Sequence, residues 1–583
     1  MSARYLIVAA SDEEQRTRFR ARAVEQELVC AFDKAGLLVV ATPDCAWLSV
    51  GDAGVVLGQI FTPRHEGALT DLAPETADAV ATSRGGHLCE LHWGSYVVAL
   101  ATSSGEAILM RAPLGDLPCL YARCDGAIVA ASDVAMLGLF DLYRPRVDFD
   151  ALTRHLIASD LRRNDTCLAN LWELRGGQRL VIGPDSQTRL ETEWTPWRFA
   201  AGPMQIEDQD ECDRRLRNAV RYVVRTRGSA LSPALLLLSG GLDSSIVAAC
   251  LAEGGVSFSA LTIFTSNPTG DERDYAKRAA ARAGCILEER TSDLENIVID
   301  RSPSTNLPRP VRRSFEQDTI AHAAHLAGLV GAAAILDGGG GDNVFGSLQS
   351  VAPLVDSLRT DGLFSGAFRR LARDISALTE TSLLKVAWRA LQRSRRASQN
   401  YRWSADLRLL APRATGSVAT ALEHPWLDMP ADVLPGRAAH LAVLIAAQGL
   451  VEDSDPQASV ASCSILVAQP IVETCLRIPS RYWFERGNNR AVARRAFEPV
   501  LPPEIAWRRS KGTPDSFVVE IFEAHKPFIR EMLLSGLLAE RQVIDVDEAR
   551  GILDDPRPTV GHDYTRIMQL FDAEMWARSW SAC

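Results

Sequence analysis

A short loop of glycine, serine and aspartate is the strongest chemical signal in the chain: Ser239-Gly240-Gly241-Leu242-Asp243-Ser244-Ser245. It follows a continuous apolar run, residues 234–238, and precedes a helical pattern. Glycines let backbone N–H groups approach an anion, and the start of a helix adds about half a positive charge. No lysine follows the glycines, as a Walker A loop would require. The sequence therefore predicts a phosphate cradle in which Asp243 holds a Mg²⁺ ion, with an ordinary strand-to-helix turn as the alternative.

A second glycine-rich loop, Asp337-Gly338-Gly339-Gly340-Gly341-Asp342-Asn343, also follows an apolar run. Four consecutive glycines are costly in an ordered chain, so they favour a place where backbone must approach a ligand. Both loops are predicted to lie at the carboxyl ends of parallel strands, where such folds bind ligands. Asp342 is then a second candidate Mg²⁺ ligand, and a flexible loop is the alternative.

A basic segment near the C-terminus, Arg508-Arg509-Ser510-Lys511-Gly512, follows Arg490, Arg494 and Arg495. Cations are needed wherever pyrophosphate departs. Taken alone, such a run is more typical of a solvated surface. His87 and His92 do not predict a metal site, because a strand would point them to opposite faces.

The elements that must position these loops differ between the two parts of the chain. The first 200 or so residues are predicted to be β-rich, with short apolar runs at 36–40, 96–100 and 127–130. Beyond a boundary placed within 194–212, apolar strands alternate with helices, which indicates a parallel sheet. The predicted strands are 234–238, 258–264, 285–287 and 332–336; the predicted helices are 246–253, 271–283 and 317–329, and 355–450 is mostly helical.

Composition excludes several classes of protein. A chain of 583 residues is too long for one ordinary core and predicts about two to four domains. With 63 basic and 73 acidic residues, the net charge of -10 argues against a non-specific nucleic-acid binder. The longest apolar run, Leu441 to Ala447, is too short to span a membrane, and the N-terminus has no targeting pattern. Twelve unpatterned cysteines indicate reduced thiols and a cytoplasmic location.

The first loop resembles the PP-loop of ATP pyrophosphatases, and the downstream segments are similar in order and spacing to asparagine synthetase. Those segments are Asp271-Glu272-Arg273, Asp342 to Gly346, Arg490 to Phe497, and Lys511-Gly512. Arg111 to Tyr121 and Ala131-Ser132-Asp133 resemble its glutaminase half. The resemblance implies a mixed α/β protein: a β-rich, inactive Ntn glutaminase-like domain over 1–200, then a parallel α/β synthetase domain with added helices over 201–583.

The departures from asparagine synthetase narrow the prediction. Residue 2 is Ser2, where the glutaminase needs a nucleophilic cysteine, so we expect no glutamine hydrolysis. Gly339 stands where asparagine synthetase has a glutamate base and β-lactam synthetase has a tyrosine. The family's Asp-Glu pair becomes Asp342-Asn343. This combination resembles lasso-peptide cyclases, which close a macrolactam in a ribosomal peptide.

The resemblance implies that ATP and Mg²⁺ are used to adenylate an Asp or Glu side chain of a linear precursor peptide, which its N-terminal amine then attacks. Lys511 and Arg490 would be catalytic, and Asp243 and Asp342 would hold the metal. A leader-peptide protease and a leader-recognition protein are the expected partners. The alternatives are a β-lactam synthetase, an ammonia-dependent asparagine synthetase, and a non-catalytic scaffold that binds the peptide. The residues expected to bind ATP are Leu238, Ser239, Gly240, Gly241, Asp243, Ser244, Ser245, Ile263, Asp337 and Gly338.

Overall fold

A computed structural model describes residues 4–10, 12–63, 67–265, 270–396, 401–509, 512, 515–557 and 563–581. The strands of this described part are β1 Tyr5–Ala9, β2 Val29–Lys34, β3 Leu37–Ala41, β4 Trp47–Ser49, β5 Gly54–Phe61, β6 Trp93–Ala101, β7 Ala107–Arg111, β8 Leu120–Cys124, β9 Ala127–Ala131, β10 Trp172–Glu173, β11 Gln178–Ile182, β12 Thr188–Thr192, β13 Ala234–Leu237, β14 Phe258–Phe264, β15 Leu287–Thr291, β16 Ala334–Asp337 and β17 Ala461–Ser464.

The α-helices of the same ranges are α1 Glu13–Glu25, α2 Pro74–Thr82, α3 Gly86–Leu91, α4 Val134–Leu139, α5 Phe149–Ile157, α6 Trp197–Ala200, α7 Gln209–Ala230, α8 Leu242–Glu253, α9 Arg273–Ala283, α10 Glu316–Val330, α11 Gly341–Val344, α12 Ala352–Thr360, α13 Gly366–Leu378, α14 Leu383–Ser394, α15 Val418–Ala421, α16 Pro435–Glu452, α17 Gln469–Arg477, α18 Ala491–Phe497, α19 Pro503–Ala506, α20 Asp515–Ser535, α21 Leu537–Glu540, α22 Val546–Leu553 and α23 Asp563–Ser581. No helix in the described ranges is long and apolar enough to cross a membrane.

The N-terminal part contains two six-stranded antiparallel sheets, in the orders β10-β8-β9-β1-β3-β2 and β12-β11-β7-β6-β5-β4. Alternate residues of β1 point to opposite faces, and both faces are buried. Tyr5 and Ile7 pack with Leu57 and Val97 of the other sheet, so an apolar layer lies between the two sheets. The predicted β-rich character of this part of the chain is confirmed.

The second part is built on a parallel sheet in the order β15-β14-β13-β16-β17. The predicted alternation of strands and helices is therefore confirmed, although β17 was not predicted and β15 begins only at Leu287. β13 lies at the centre, paired with β14 on one side and β16 on the other. Because neighbouring parallel strands end at one edge of the sheet, the loops after β13 and β16 lie side by side.

The apolar core is continuous between the two parts. One cluster of buried side chains includes Leu6 of the first sheet, Val220 of α7 and Ala577 of α23. Polar contacts also link the parts: the indole N–H of Trp194 donates to Glu473 Oε1 at 3.0 Å. The domain boundary near residue 200 stays a prediction.

The prediction for His87 and His92 rested on the wrong element. Residues 86–91 form the helix α3, not a strand, because Gly85 takes a left-handed conformation and starts a helical turn. The two imidazole rings lie with centroids 5.7 Å apart instead of on opposite faces. No group of three or more potential metal ligands is found among the described residues.

Candidate active site

A cavity of about 520 Å³ lies at the carboxyl ends of β13, β14 and β16. Its wall includes the loop after each of these strands and a set of arginines from the C-terminal part of the chain. A volume of this size falls within the range of about 300–1,000 Å³ typical of small-molecule sites. Both glycine-rich loops predicted from the sequence therefore meet at one cavity.

The first loop joins the central strand β13 to α8. Asp243, Ser244 and Ser245 lie in the first turn of that helix, which begins at Leu242. The N–H groups of a first helical turn have no partner within the helix, so they are free to bind an anion. Gly240 has a φ of +74°, and a Cβ there would lie 2.4 Å from the backbone nitrogen of Ala276. Glycine is therefore required at this position by the close approach of α9.

The second loop packs directly against the first. A Cβ at Gly338 would lie 2.7 Å from the backbone nitrogen of Ser244. A Cβ at Gly341 would lie 2.8 Å from the Cβ of Asp243. At least two of the four glycines are thus needed for the contact between the loops. The same loop also exposes backbone to the cavity. This contact brings Asp342, in the first turn of α11, to the same cavity as Asp243.

Asp337 fills the space beside Gly339. Its carboxylate accepts a hydrogen bond from the N–H of Gly339 at 2.7 Å, and its Oδ1 would lie 2.7 Å from a Cβ at that glycine. Burial raises the pKa of Asp337, while the bonds from Gly339 and the hydroxyl of Ser464 oppose the shift. A larger residue at position 339 would therefore displace Asp337 or Ser464.

Arginines supply the positive charge of the cavity. Arg490 Nη1 donates to Asp243 Oδ2 at 2.8 Å, so this cation is placed directly against one predicted metal ligand. Arg494 also lines the cavity, and burial lowers its pKa to about 10, with the nearby Arg490 adding to that shift. Arg495 points elsewhere and pairs with Asp213 and Glu485.

Glu272 ties Arg508 and Gly512 to the cavity wall. Its Oε1 accepts hydrogen bonds from Arg508 Nη2 at 2.6 Å and from the N–H of Gly512 at 2.8 Å. Arg508 also stacks on the ring of Tyr275 at 3.6 Å. Lys511 itself lies outside the described residues, as does Ser2. Arg509 and Gly512, which flank it, both line the cavity.

The structure brings most of the predicted site residues together. Gly240 and Ser245 lie behind the wall, Gly240 against α9 and Ser245 in the buried turn of α8. The cavity is also lined by residues to which no sequence pattern assigns a role: Glu272 and the apolar residues Phe264, Phe315 and Phe517. The predicted residues that line the cavity are Leu238, Ser239, Gly241, Asp243, Ser244, Ile263, Asp337, Gly338, Asp342 and Arg490.

Comparison with known proteins identifies the family. The family model described as asparagine synthase matches residues 215–578, which is more than half of the chain, so the protein belongs to this family. Its members are ATP-dependent ligases that form amides.

The individual proteins that resemble this chain share little sequence identity with it. The amidase chry2 of Gibberella zeae is 25% identical over 219 residues, which is 34% of this chain and 31% of that protein. A solved structure of the allosteric regulatory enzyme of purine biosynthesis aligns with 58% of this chain and 83% of its own, at 10% identity and a TM-score of 0.21. Glutamine phosphoribosylpyrophosphate amidotransferase from B. subtilis aligns with 74% and 99%, at 10% identity and a TM-score of 0.19. Both TM-scores are low, so the description of the fold rests on the sheet orders and pairings.

Proposed function

We propose that the protein is an ATP-dependent macrolactam synthetase of the lasso-peptide cyclase type. It would activate an Asp or Glu side chain of a linear precursor peptide and join it to the N-terminal amine of the same peptide. One observation carries the proposal: the two glycine-rich loops bring Asp243 and Asp342 to one cavity, and its wall has Gly339 where, by resemblance, the related synthetases have a base.

The cavity suits ATP in both size and chemistry. Leu261, Ile263 and Phe264 give an apolar wall that fits the adenine ring. The first turn of α8 and the hydroxyl of Ser239 offer donors for the phosphates. Arg490 and Arg494 supply the positive charge that a departing pyrophosphate needs.

The residues present also fit a magnesium ion. Asp243 and Asp342 line one cavity on two loops that touch, and oxygen ligands are those that Mg²⁺ prefers. Magnesium in such sites is held by one or two carboxylates plus phosphates and water, so two aspartates are sufficient. Bound there, the ion would neutralise phosphate charge during adenylation.

The proposed reaction does not require a dedicated base. The substrate carboxylate attacks the α-phosphate of ATP, so an acyl adenylate forms and pyrophosphate leaves. The N-terminal amine then attacks the acyl carbon, the amide bond forms, and AMP and a proton are released. An α-amine has a pKa of about 7.7–8.0, so roughly a tenth or more is already neutral at pH 7.

The cellular setting follows from this role. We propose that a leader-peptide protease frees the N-terminal amine and that a leader-recognition protein presents the precursor. The described cysteines are all free thiols, which agrees with a reducing, cytoplasmic compartment.

A pair of synthetic peptides tests the proposal. Both carry an internal Asp or Glu at a ring-forming distance, and one has a free N-terminal amine while the other is N-acetylated. We expect ATP and Mg²⁺ to convert the free peptide into a product lighter by one water, with release of AMP and pyrophosphate. The acetylated peptide should not lose water. Formation of asparagine from aspartate and ammonia, with neither peptide converted, would instead support an ammonia-dependent asparagine synthetase.

Removing either acidic residue should stop adenylation. We expect Asp243→Asn and Asp342→Asn, like the alanine variants, to lower pyrophosphate release by about 10²–10³-fold, because each carboxylate manages phosphate charge through the metal. Asp52→Asn, at an exposed pair with Lys34, is the matched control and should leave the rate unchanged. Near-wild-type pyrophosphate release by either cavity variant would contradict the two-aspartate site.

A further inference from the structure

The helical hairpin formed by α13 and α14 exposes apolar side chains. Its inner face is packed, with Ile375 of α13 and Val386 and Ala390 of α14 buried. On the outer face of α14, Leu384 is 84% and Trp388 is 60% exposed. These two residues are four apart, so they lie on the same side of the helix, next to one another. Single exposed apolar residues are ordinary, whereas apolar residues that form a contiguous exposed patch with a polar rim mark an interaction surface.

The same face is strongly basic. Lys385 and Arg389 are also four apart and therefore form a second stripe beside Leu384 and Trp388. In the described part of the chain, no acidic group pairs with either of them or with Arg395. Residues 364–396 carry eight basic and two acidic side chains, a local net charge of +6 in a chain of net charge -10.

This hairpin adjoins the mouth of the cavity. Near the end of α13, Asp374 Oδ1 accepts a hydrogen bond from the N–H of Gly487 at 3.0 Å. A Cβ at Gly487 would lie 2.9 Å from the Cβ of Ala377 and 3.3 Å from Arg509 Nη2. Arg509 is an exposed residue that lines the cavity, so it marks the opening. A short turn joins the end of α13 to the start of α14, which places the first turn of α14 near this opening.

We propose that the outer face of α14, from Leu383 to Arg395, binds an acidic segment of the peptide substrate that also carries apolar side chains. The proposal rests on the macrolactam synthetase function and adds the chemistry of the peptide. Glutamate or aspartate side chains of the segment pair with Lys385 and Arg389, while its apolar side chains cover Leu384 and Trp388. The twelve residues of α14 span about 18 Å, which matches about five or six residues of an extended peptide.

The position of the face favours a peptide over an anionic membrane, which also binds basic and aromatic surfaces. A peptide bound along α14 has an end that continues into the cavity mouth beside Arg509, where a substrate must enter. A bilayer against the same face has no segment that could enter the cavity.

The binding test uses no ATP, so its result does not depend on catalysis. The probe is a fluorescently labelled peptide of alternating glutamate and leucine; the control probe has lysine in place of glutamate. We expect anisotropy titrations to show that the glutamate probe binds the wild-type protein at low salt, more weakly as salt rises, and that the lysine probe does not. Lys385→Glu/Arg389→Glu and Leu384→Ser/Trp388→Ser should each weaken binding by about tenfold or more.

Matched variants elsewhere separate this site from general surface effects. Arg18→Glu replaces an exposed basic residue of α1, and Leu329→Ser replaces a residue of α10 that is 68% exposed. Both should bind the glutamate probe like the wild type. Equal binding of the two probes, or unchanged binding by the α14 variants, would overturn the proposal. So would preferential binding of phosphatidylglycerol vesicles that the α14 variants abolish, since the face would then be a membrane site. If the glutamate probe binds as expected while no macrolactam forms, the docking site stands and the proposed reaction fails.

Discussion

At the scale of single residues, the carboxylate of Asp243 serves both Arg490 and the proposed metal ion. The arginine has a φ of +57°, an uncommon conformation for a residue with a side chain, and it directs its guanidinium onto Asp243 Oδ2. A carboxylate has two oxygens and about four acceptor sites, so this bond leaves room for a metal on the same group. The pair therefore holds Asp243 in a fixed orientation while its charge is partly neutralised.

Lys511 should act on the transition state rather than on ATP binding. Its described neighbours Arg508 and Gly512 are both held at the cavity by Glu272. We expect Lys511→Met to lower kcat by about 10²–10³-fold in single-turnover assays while the affinity for ATP stays nearly unchanged. Lys511→Arg should rescue little, because a wide planar fork replaces a point charge.

The control for this residue is Lys277→Met, which removes an exposed lysine paired with Glu289 at 3.1 Å. It should leave the rate of cyclisation unchanged. A large loss of ATP affinity at unchanged rate in Lys511→Met would make Lys511 a ligand of the ground-state phosphates instead.

The contact between the two glycine-rich loops is the critical feature at the scale of the elements. Gly338→Ala would place a methyl group 2.7 Å from the backbone nitrogen of Ser244, which cannot move aside as a side chain could. Such overpacking typically costs about 1–3 kcal/mol, and a shift of the loops by about 1 Å can cost about 10²-fold in rate. We therefore expect a lower Tm together with a loss of pyrophosphate release.

The matched control for this variant is Gly328→Ala in α10, where nothing lies within 4 Å of an added Cβ. Alanine stabilises a helix interior by about 0.5–1 kcal/mol relative to glycine, so this variant should raise Tm slightly and keep its activity. Thermal unfolding and pyrophosphate release, measured on both variants, decide the point; equal activities would show that the loops do not need their close contact.

Local sequence patterns predicted the strands and loops, but they could not predict contacts between residues that are far apart in the chain. The strand over 258–264 was predicted with the bounds of β14, because five of its seven residues are apolar, as expected of a parallel strand with both faces covered. The helix predicted over 246–253 begins earlier, at Leu242, because serine and aspartate favour the start of a helix as well as a loop. β17, with the sequence Ala-Ser-Cys-Ser, has no apolar pattern. Glu272 could not be predicted as a clamp, because Arg508 and Gly512 are 236 and 240 residues away in the chain.

At the scale of the whole molecule, three buried charged side chains join the two parts of the chain. Glu173 of β10 accepts a hydrogen bond from Arg111 Nη1 at 2.8 Å and pairs with Arg309, which precedes α10 in the second part. All three side chains are nearly inaccessible to solvent. Burial by itself would raise the pKa of Glu173, but Arg309 and Arg111 outweigh it and hold the pKa at about 2. The β-rich part of the chain is thus fastened to the second part by these three charges.

Removing the central charge of this group should destabilise the whole molecule. Glu173→Gln leaves two buried guanidinium groups without their shared carboxylate, and breaking a buried pair in this way costs about 3–5 kcal/mol. Because folding lowers the pKa of Glu173, its ionised carboxylate stabilises the folded state. This stabilisation is present above the pKa of the unfolded chain, about 4.3, and is lost as pH falls toward about 2. The wild type should therefore have a clearly higher Tm than Glu173→Gln at pH 7, and the difference should shrink as the pH is lowered from about 5.

The control is Glu14→Gln, at an exposed pair with Arg18, which should change Tm little at any pH. A Glu173→Gln protein as stable as the wild type at pH 7 would show that the buried charges do not fasten the two parts together.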